Sequence, residues 1–255
     1  MKFVVIGGHG LIGSTLVDLL GDDGHDAVAA GPRSGVDAVT GEGLGDALAG
    51  ADAVIDVSNS PSFEDDAVLE FFRTATGNLL AAGRNAGVGQ HVALSVVGCD
   101  RLPDSGYMRA KVAQEELIEG SPMPYTIIRA TQFHEFVEAI ADAAAEGDTI
   151  RVPRARIQPV AADEVAAAVG RAAAGAPVNG VVEVAGPETF RLEELIRQDL
   201  RARDDPRHVV SDPGARYFGA ALDDGDLLAG EPARLGETRF EDWLSRHPRE
   251  ARSHS

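Results

Sequence analysis

Three residues have side chains suited to moving a proton beside a positioned oxygen: Tyr107, Lys111 and Ser95. Tyr107-Met108-Arg109-Ala110-Lys111 sets a phenol and an ammonium one helical turn apart on the same face. A cation beside a phenol stabilises phenolate, lowers its pKa and makes the tyrosine a proton donor or acceptor near neutral pH. Ser95 lies near the end of an apolar run, His91 to Val97, where its hydroxyl can hold a reacting oxygen. The lysine is conspicuous. Of 23 Lys and Arg only Lys2 and Lys111 are Lys, so arginine supplies nearly every cation except the one that follows a tyrosine by four. Chance puts a Tyr-x-x-x-Lys in about one chain in a hundred of this composition. The competing reading is an amphipathic surface helix with its tyrosine packed inward.

These groups need a frame, and the chain opens on one. Phe3-Val4-Val5-Ile6 reads as a strand that runs straight into Gly7-Gly8-His9-Gly10-Leu11-Ile12-Gly13, with a helix over Ser14 to Leu20. Glycines at 7, 10 and 13 allow a tight turn, close approach of a pyrophosphate to the backbone, and a helix packed hard on its strand. The free N–H groups at that helix start then face an anion. This predicts a dinucleotide-binding turn. A compact ammonium such as Lys111, which can bridge ribose hydroxyls and a phenol, fits the same cofactor better than a planar guanidinium.

Asp26 to Ala30 reads as the second strand, stopped at Gly31-Pro32. After it, an acid would hold a ribose 2′-hydroxyl, whereas an arginine accommodates a 2′-phosphate. Arg33 stands there with Ser34 beside it, and no Asp or Glu occurs between Asp26 and Asp37. NADP(H) is therefore expected over NAD(H). Val36 to Thr40 reads as a short strand and Ala53 to Val57 as a clear one, ending at Ser58 and Asn59, two further candidate cofactor contacts. Asp65 to Ala86 has helical spacing, with Phe71 and Phe72 as core. Asp104-Ser105 caps a helix over Tyr107 to Glu119. Tyr125 to Arg129 is another strand, with Thr131 and Gln132 in reach of a nicotinamide amide and Phe133 as a pocket wall. His134 is a spare acid or base at the cleft mouth, or a solvated helix start. His134-Glu135-Phe136-Val137-Glu138 begins like a zinc-protease motif but lacks the second His, so no metal is expected. Val181 to Val184 and Leu192 to Leu200 form a late strand and helix. Tyr217, Phe218 and the Phe240-Trp243-Leu244 helix read as a small cover over the strand ends that either shapes a substrate pocket or serves as plain packing.

The strand–helix alternation predicts an α/β, Rossmann-like doubly wound parallel sheet over residues 1–255, with residues from about 150 onward adding a small substrate-pocket part. Such a length buries a full core without disulfides, and Cys99 is the sole cysteine, which suits a reducing, cytoplasmic setting. A formal charge of −18 argues against nucleic acid or an anionic membrane as partner. A small-molecule substrate and a monomeric or homodimeric state are expected.

Together the glycine turn, Ser95, Tyr107 and Lys111 resemble the short-chain dehydrogenase/reductase superfamily. The Gly-x-x-Gly-x-x-Gly spacing and Tyr125-Thr126-Ile127-Ile128-Arg129-Ala130-Thr131-Gln132-Phe133 are more narrowly similar to its atypical, NmrA-like NAD(P)H-binding branch, over about residues 1 to 200. The resemblance implies hydride transfer from NAD(P)H, with Tyr107 as proton donor, Lys111 on the ribose and the tyrosine, and Ser95 orienting a carbonyl. It implies an NADPH-dependent oxidoreductase acting on a small carbonyl or quinone. The branch also holds cofactor-binding regulators without activity, so the alternative is a non-catalytic NADP(H)-sensing protein that binds a protein partner. Ala130-Thr131 departs from the Pro-Gly that many relatives carry after this strand.

Overall fold

In the computed structural model, which describes residues 1–247, strand and helix alternate from the start. The first half comprises β1 (Lys2–Ile6), α1 (Leu11–Asp22), β2 (Asp26–Ala30), α2 (Leu44–Leu48) and β3 (Ala53–Asp56). It continues through α3 (Asp65–Ala86), β4 (Gln90–Val96), α4 (Gly106–Glu119) and β5 (Tyr125–Ala130). The second half is more broken: α5 (Val137–Ala143), β6 (Ala145–Glu146), β7 (Thr149–Val152), β8 (Arg156–Ile157), α6 (Ala162–Ala174) and β9 (Gly180–Ala185). After these come β10 (Phe190–Arg191), α7 (Leu192–Ala202), β11 (His208–Ser211), β12 (Arg234–Leu235) and α8 (Phe240–Arg246).

Seven strands form one parallel sheet in the order β2-β1-β3-β4-β5-β9-β12. The period-2 alternation of β1 explains why both faces are covered. Phe3 and Val5 enter the core with Leu16 of α1 and Val165 of α6, while Val4 and Ile6 pack with Leu44 of α2 and Leu79 of α3. From β1 the chain builds outward to β2 on one side and to β3 on the other. This switch point leaves a crevice outside the carboxyl ends of the strands, where open α/β sheets take ligands. The expected doubly wound fold is borne out. α3 carries Val68, Phe72, Ala75 and Leu79 on its buried stripe and stops at Gly87, which adopts φ 72°.

Val36–Thr40 is not a strand. The Asp37 carboxylate accepts hydrogen bonds from the Val39 and Thr40 N–H groups at 2.7 and 3.1 Å, and the segment folds as a turn.

A second cluster joins α5, β7, α7 and α8 through Ile140, Ile150, Leu195, Phe240 and Trp243. The chain beyond 150 also returns to the main sheet, where α6 packs on α1 and β9 and β12 extend the strand order. Residues 248–255, the end of the expected domain, lie outside the described ones. No described helix is long and apolar enough to cross a membrane.

Candidate functional site

The turn after β1 is shaped by its glycines. Gly7 sits at φ +79°, and a Cβ there would lie 2.8 Å from the Ser58 Cα. A Cβ on Gly13 would collide with the Gly7 carbonyl oxygen, so α1 starts as close to the turn as it does only because Gly13 has none. Gly8 is likewise packed, against Ala29. No side chain caps α1 and its first turn holds no acid, which leaves its amide donors and positive dipole end to an anion. Gly7, His9, Gly10, Leu11 and Ile12 border a cleft of about 1390 Å³ along the carboxyl ends of the strands. Gly8 and Gly13 act behind it.

Arg33 also lines the cleft, beyond β2, exposed and with no ion pair among the described residues. Ser34 does not line it: its hydroxyl accepts from the Gly31 N–H and donates to the Gly31 carbonyl, both at 3.0 Å, closing the local turn. Asp37 borders the cleft near Arg33 and went unassigned in the sequence, but its Oδ1 is occupied by the two turn amides. Ser58 and Asn59 line the cleft where β3 ends.

Ser95, Tyr107 and Lys111 all reach this one cleft, from the end of β4 and the first turns of α4. Ser105 caps α4 by accepting from the Met108 N–H at 3.5 Å. Lys111 is buried. Its Nζ donates to the Leu94 carbonyl at 2.8 Å and to Gln114 Oε1, and lies 4.3 Å from the centre of the Phe72 ring. Gln114 Nε2 in turn donates to Asp56 Oδ2 at 2.9 Å, and Asp56 Oδ1 accepts from the Ser58 N–H and hydroxyl at 3.0 and 2.6 Å. A buried chain of hydrogen bonds thus ties the ammonium to the carboxylate at the end of β3. Asp56 and Gln114 had no assigned role in the sequence. The available signal was an acid ending an apolar strand and an amide three residues past the lysine on one helix face.

The expected activation of the phenol does not occur in this structure. Burial pushes Tyr107 up to about 12, and the ammonium of Lys111 is directed to Leu94, Gln114 and Phe72 instead. Tyr107 keeps its proton at neutral pH and is suited to giving one rather than taking one. Lys111 itself is lowered to about 8, chiefly by loss of solvent, with Asp56 and Glu115 opposing.

Beyond β5, Thr131, Gln132 and Phe133 line the cleft. The hydroxyls of Ser95 and Thr131 and both polar atoms of the Gln132 amide are buried without a hydrogen-bond partner in the protein. Such orphans call for an occupant, and an amide with a donor and an acceptor fits them. His134 is neither solvated nor at the mouth. It is 1% exposed, its ring lies 5.1 Å from Phe240 and 5.6 Å from Trp243, and burial lowers its pKa. The α8 part of the expected cover is therefore packing away from the cleft, whereas Tyr217 and Phe218 do line it. Phe72 is core as expected, but Phe71 borders the cleft. No group of three or more His, Cys, Asp or Glu among the described residues is arranged to hold a metal ion.

The NAD(P)H-binding family model matches residues 7–169. Several solved structures share the architecture. A dTDP-4-dehydrorhamnose reductase ortholog from Clostridium acetobutylicum superposes with a TM-score of 0.70 at 16% identity, covering 96% of this chain and 98% of that one. A short-chain dehydrogenase/reductase superfamily protein from Agrobacterium tumefaciens with bound NAD gives 0.69 at 17%, over 96% and 95%. A dTDP-4-dehydrorhamnose reductase from Bacillus anthracis in complex with NADP gives 0.68 at 14%, over 96% and 97%. No curated protein matches the sequence. The expected superfamily resemblance is borne out by the family match and the shared fold, and the NmrA-like branch is consistent with both. On the strength of a model match spanning well over half its length, the chain belongs to the NAD(P)H-binding family.

Proposed function

We propose that this protein is an NADPH-dependent oxidoreductase that reduces a small carbonyl or quinone, with Tyr107 as proton donor. The observation that carries the reading is one cleft that joins the glycine turn to Ser95, Tyr107 and Lys111 and presents the unpaired polar atoms of Ser95, Thr131 and Gln132. The amides at the start of α1 would hold a pyrophosphate, Arg33 a 2′-phosphate, Lys111 a ribose, and Thr131 and Gln132 a carboxamide. When bound, the cofactor supplies a hydride.

The chain's own groups do the rest. Ser95 donates a hydrogen bond to the substrate oxygen and fixes it. Tyr107 gives its proton to the same oxygen as negative charge develops there, and its high pKa keeps it protonated until that moment. Lys111, positive below about pH 8, contributes its charge from the cleft lining rather than by direct contact with the phenol. Its bonds to Leu94 and Gln114 fix the position of the ammonium. Preference for NADPH is supported by the unpaired Arg33 and by the engagement of Asp37 in its own turn.

Tyr107→Phe tests the reading. NADPH affinity is expected to be unchanged while turnover of quinones and ketones falls about 100- to 10,000-fold, the usual worth of a positioned proton donor. Full turnover in the variant removes Tyr107 from the mechanism. Absence of turnover in the wild type, with NADPH-dependent capture of a protein partner, favours the regulatory alternative.

A further inference from the structure

Phenylalanine is unevenly placed on this protein. Phe63, Phe136 and Phe218 are 67%, 48% and 56% exposed, the three exposed phenylalanines among the described residues, and all three border the same cleft. They come from separate parts of the chain: the loop before α3, the segment between β5 and α5, and a turn after β11. Each rests on an aromatic ring set deeper in the cleft. Phe63 lies 5.8 Å from Tyr107, Phe136 stacks at 5.4 Å and 23° on Phe133, and Phe218 meets Tyr217 edge-on at 4.9 Å.

Phe218 holds its place against its own backbone preference. Tyr217 and Ala220 exchange both N–H to carbonyl hydrogen bonds, at 2.8 and 3.0 Å, and the residues between them have φ 44° and 85°. That two-residue turn favours Asn, Asp or Gly at its first position, because a side chain branching into an aromatic ring is strained at positive φ. A phenylalanine kept there and left in solvent contributes little to folding, and it points to a ligand.

Charge narrows the ligand further. Of Lys, Arg, Asp and Glu, only Lys111, Arg33 and Asp37 line the cleft among the described residues; Arg216, in the Phe218 turn, is turned to the Gly219 carbonyl at 2.9 Å and to Asp104 at 3.7 Å, and the chain as a whole is at −18. A nucleoside-diphosphate sugar would bring phosphates to a wall whose arginine, Arg216, is already engaged by Asp104 and the Gly219 carbonyl. Flat, uncharged aromatic surface is what stacked and edge-on rings accept.

We propose that Phe218, Phe136 and Phe63 form an aromatic clamp that selects a planar, uncharged aromatic carbonyl compound, of the quinone or aryl-ketone class, as substrate. This rests on the reductase reading of the same cleft. The clamp fixes the ring plane, so that one oxygen lies on Ser95 and Tyr107.

The test is calorimetric binding of menadione and of a uridine-diphosphate sugar to protein saturated with NADP⁺, in the wild type and in Phe218→Asn and Phe136→Ala. Menadione is expected to bind at least tenfold tighter than the sugar nucleotide, and each substitution to weaken it at least tenfold with NADP⁺ affinity unchanged. Phe218→Asn should also raise the melting temperature, because it relieves the turn; that readout separates loss of the clamp from loss of the fold. Menadione affinity unaltered in both variants, or tighter binding of the sugar nucleotide, overturns the clamp even if the protein proves to be a reductase. Clamped menadione that NADPH does not reduce supports the clamp and sinks the reductase reading instead.

Discussion

The buried ammonium of Lys111 can be watched directly, because the chain has only one other lysine, Lys2. Labelling lysine with carbon-13 at Cε gives two signals, and Lys111→Arg identifies one of them. Its titration midpoint is expected at about 8, down from 10.5, because burial outweighs the help of Asp56 and Glu115. That difference corresponds to about 3 kcal/mol held against the charged form in the folded protein. The sign follows from proton counts. Below pH 8 the lysine is charged in both folded and unfolded chains, and the penalty is fully present. Between 8 and 10.5 the unfolded chain binds more protons, so this group makes stability rise with pH.

Gln114 sets how far the midpoint falls. Its Oε1 accepts from the ammonium, and a hydrogen bond to a charged group is worth about 1.5 to 3 kcal/mol. Gln114→Leu should therefore lower the Lys111 midpoint by a further one to two pH units, roughly to between 6 and 7. The basic limb of the kcat/KM profile should move with it, and Gln114→Glu should shift both the other way. A wild-type midpoint near 10, or identical titrations in wild type and Gln114→Leu, refutes the reasoning.

Three further outcomes follow from the geometry. Arg33→Ala should weaken NADPH about tenfold and leave NADH within a factor of about two by calorimetry, since an exposed guanidinium adds only the smaller charge-assisted contribution. Gly13→Ala places a methyl against the Gly7 carbonyl, so α1 must back away from the turn. Chemical denaturation should show a loss of about 1 to 3 kcal/mol, and both nucleotides should bind at least about tenfold more weakly. At the end of α7, Arg203 is 3% exposed and pairs with Asp199 and Glu138 at 2.6 and 2.8 Å. Arg203→Met should cost about 3 to 5 kcal/mol in urea without changing NADPH affinity, because the buried Asp199 loses its guanidinium.

The frame of the molecule was readable where a local signal sufficed. Apolar runs, most of them closed by glycine or proline, gave β1 to β5, and helical spacing gave α3 and α4 nearly to the residue. The glycine turn and Ser95 meet at one cleft because they lie at the carboxyl ends of β1 and β4, and the first turns of α4 bring Tyr107 and Lys111 to it. Other features depended on partners far along the chain. Val36 to Thr40 looked extended until the Asp37 carboxylate folded it. His134 stands beside Glu135 in the sequence, yet its ring packs against Phe240 and Trp243, more than a hundred residues away. The raised pKa of Tyr107 reflects burial, which spacing alone does not reveal. The Asp56–Gln114 bond spans 58 residues and joins two elements whose pairing only the sheet order supplies. Phe63 and Phe218 lie on loops and Phe136 in a single 3-10 turn before α5, where pattern is weakest and function is often placed.

Transfer of label tests the central claim most directly. NADPH deuterated at its transferable hydrogen would be incubated with an aryl ketone and either wild-type protein or Tyr107→Phe, and the product analysed by mass spectrometry and NMR. The account predicts an alcohol with deuterium on the carbinol carbon from the wild type, and almost none from Tyr107→Phe at equal NADPH occupancy. Equal label transfer by the two proteins, or NADPH bound tightly with no transfer to any ketone or oxidation by any quinone, contradicts it.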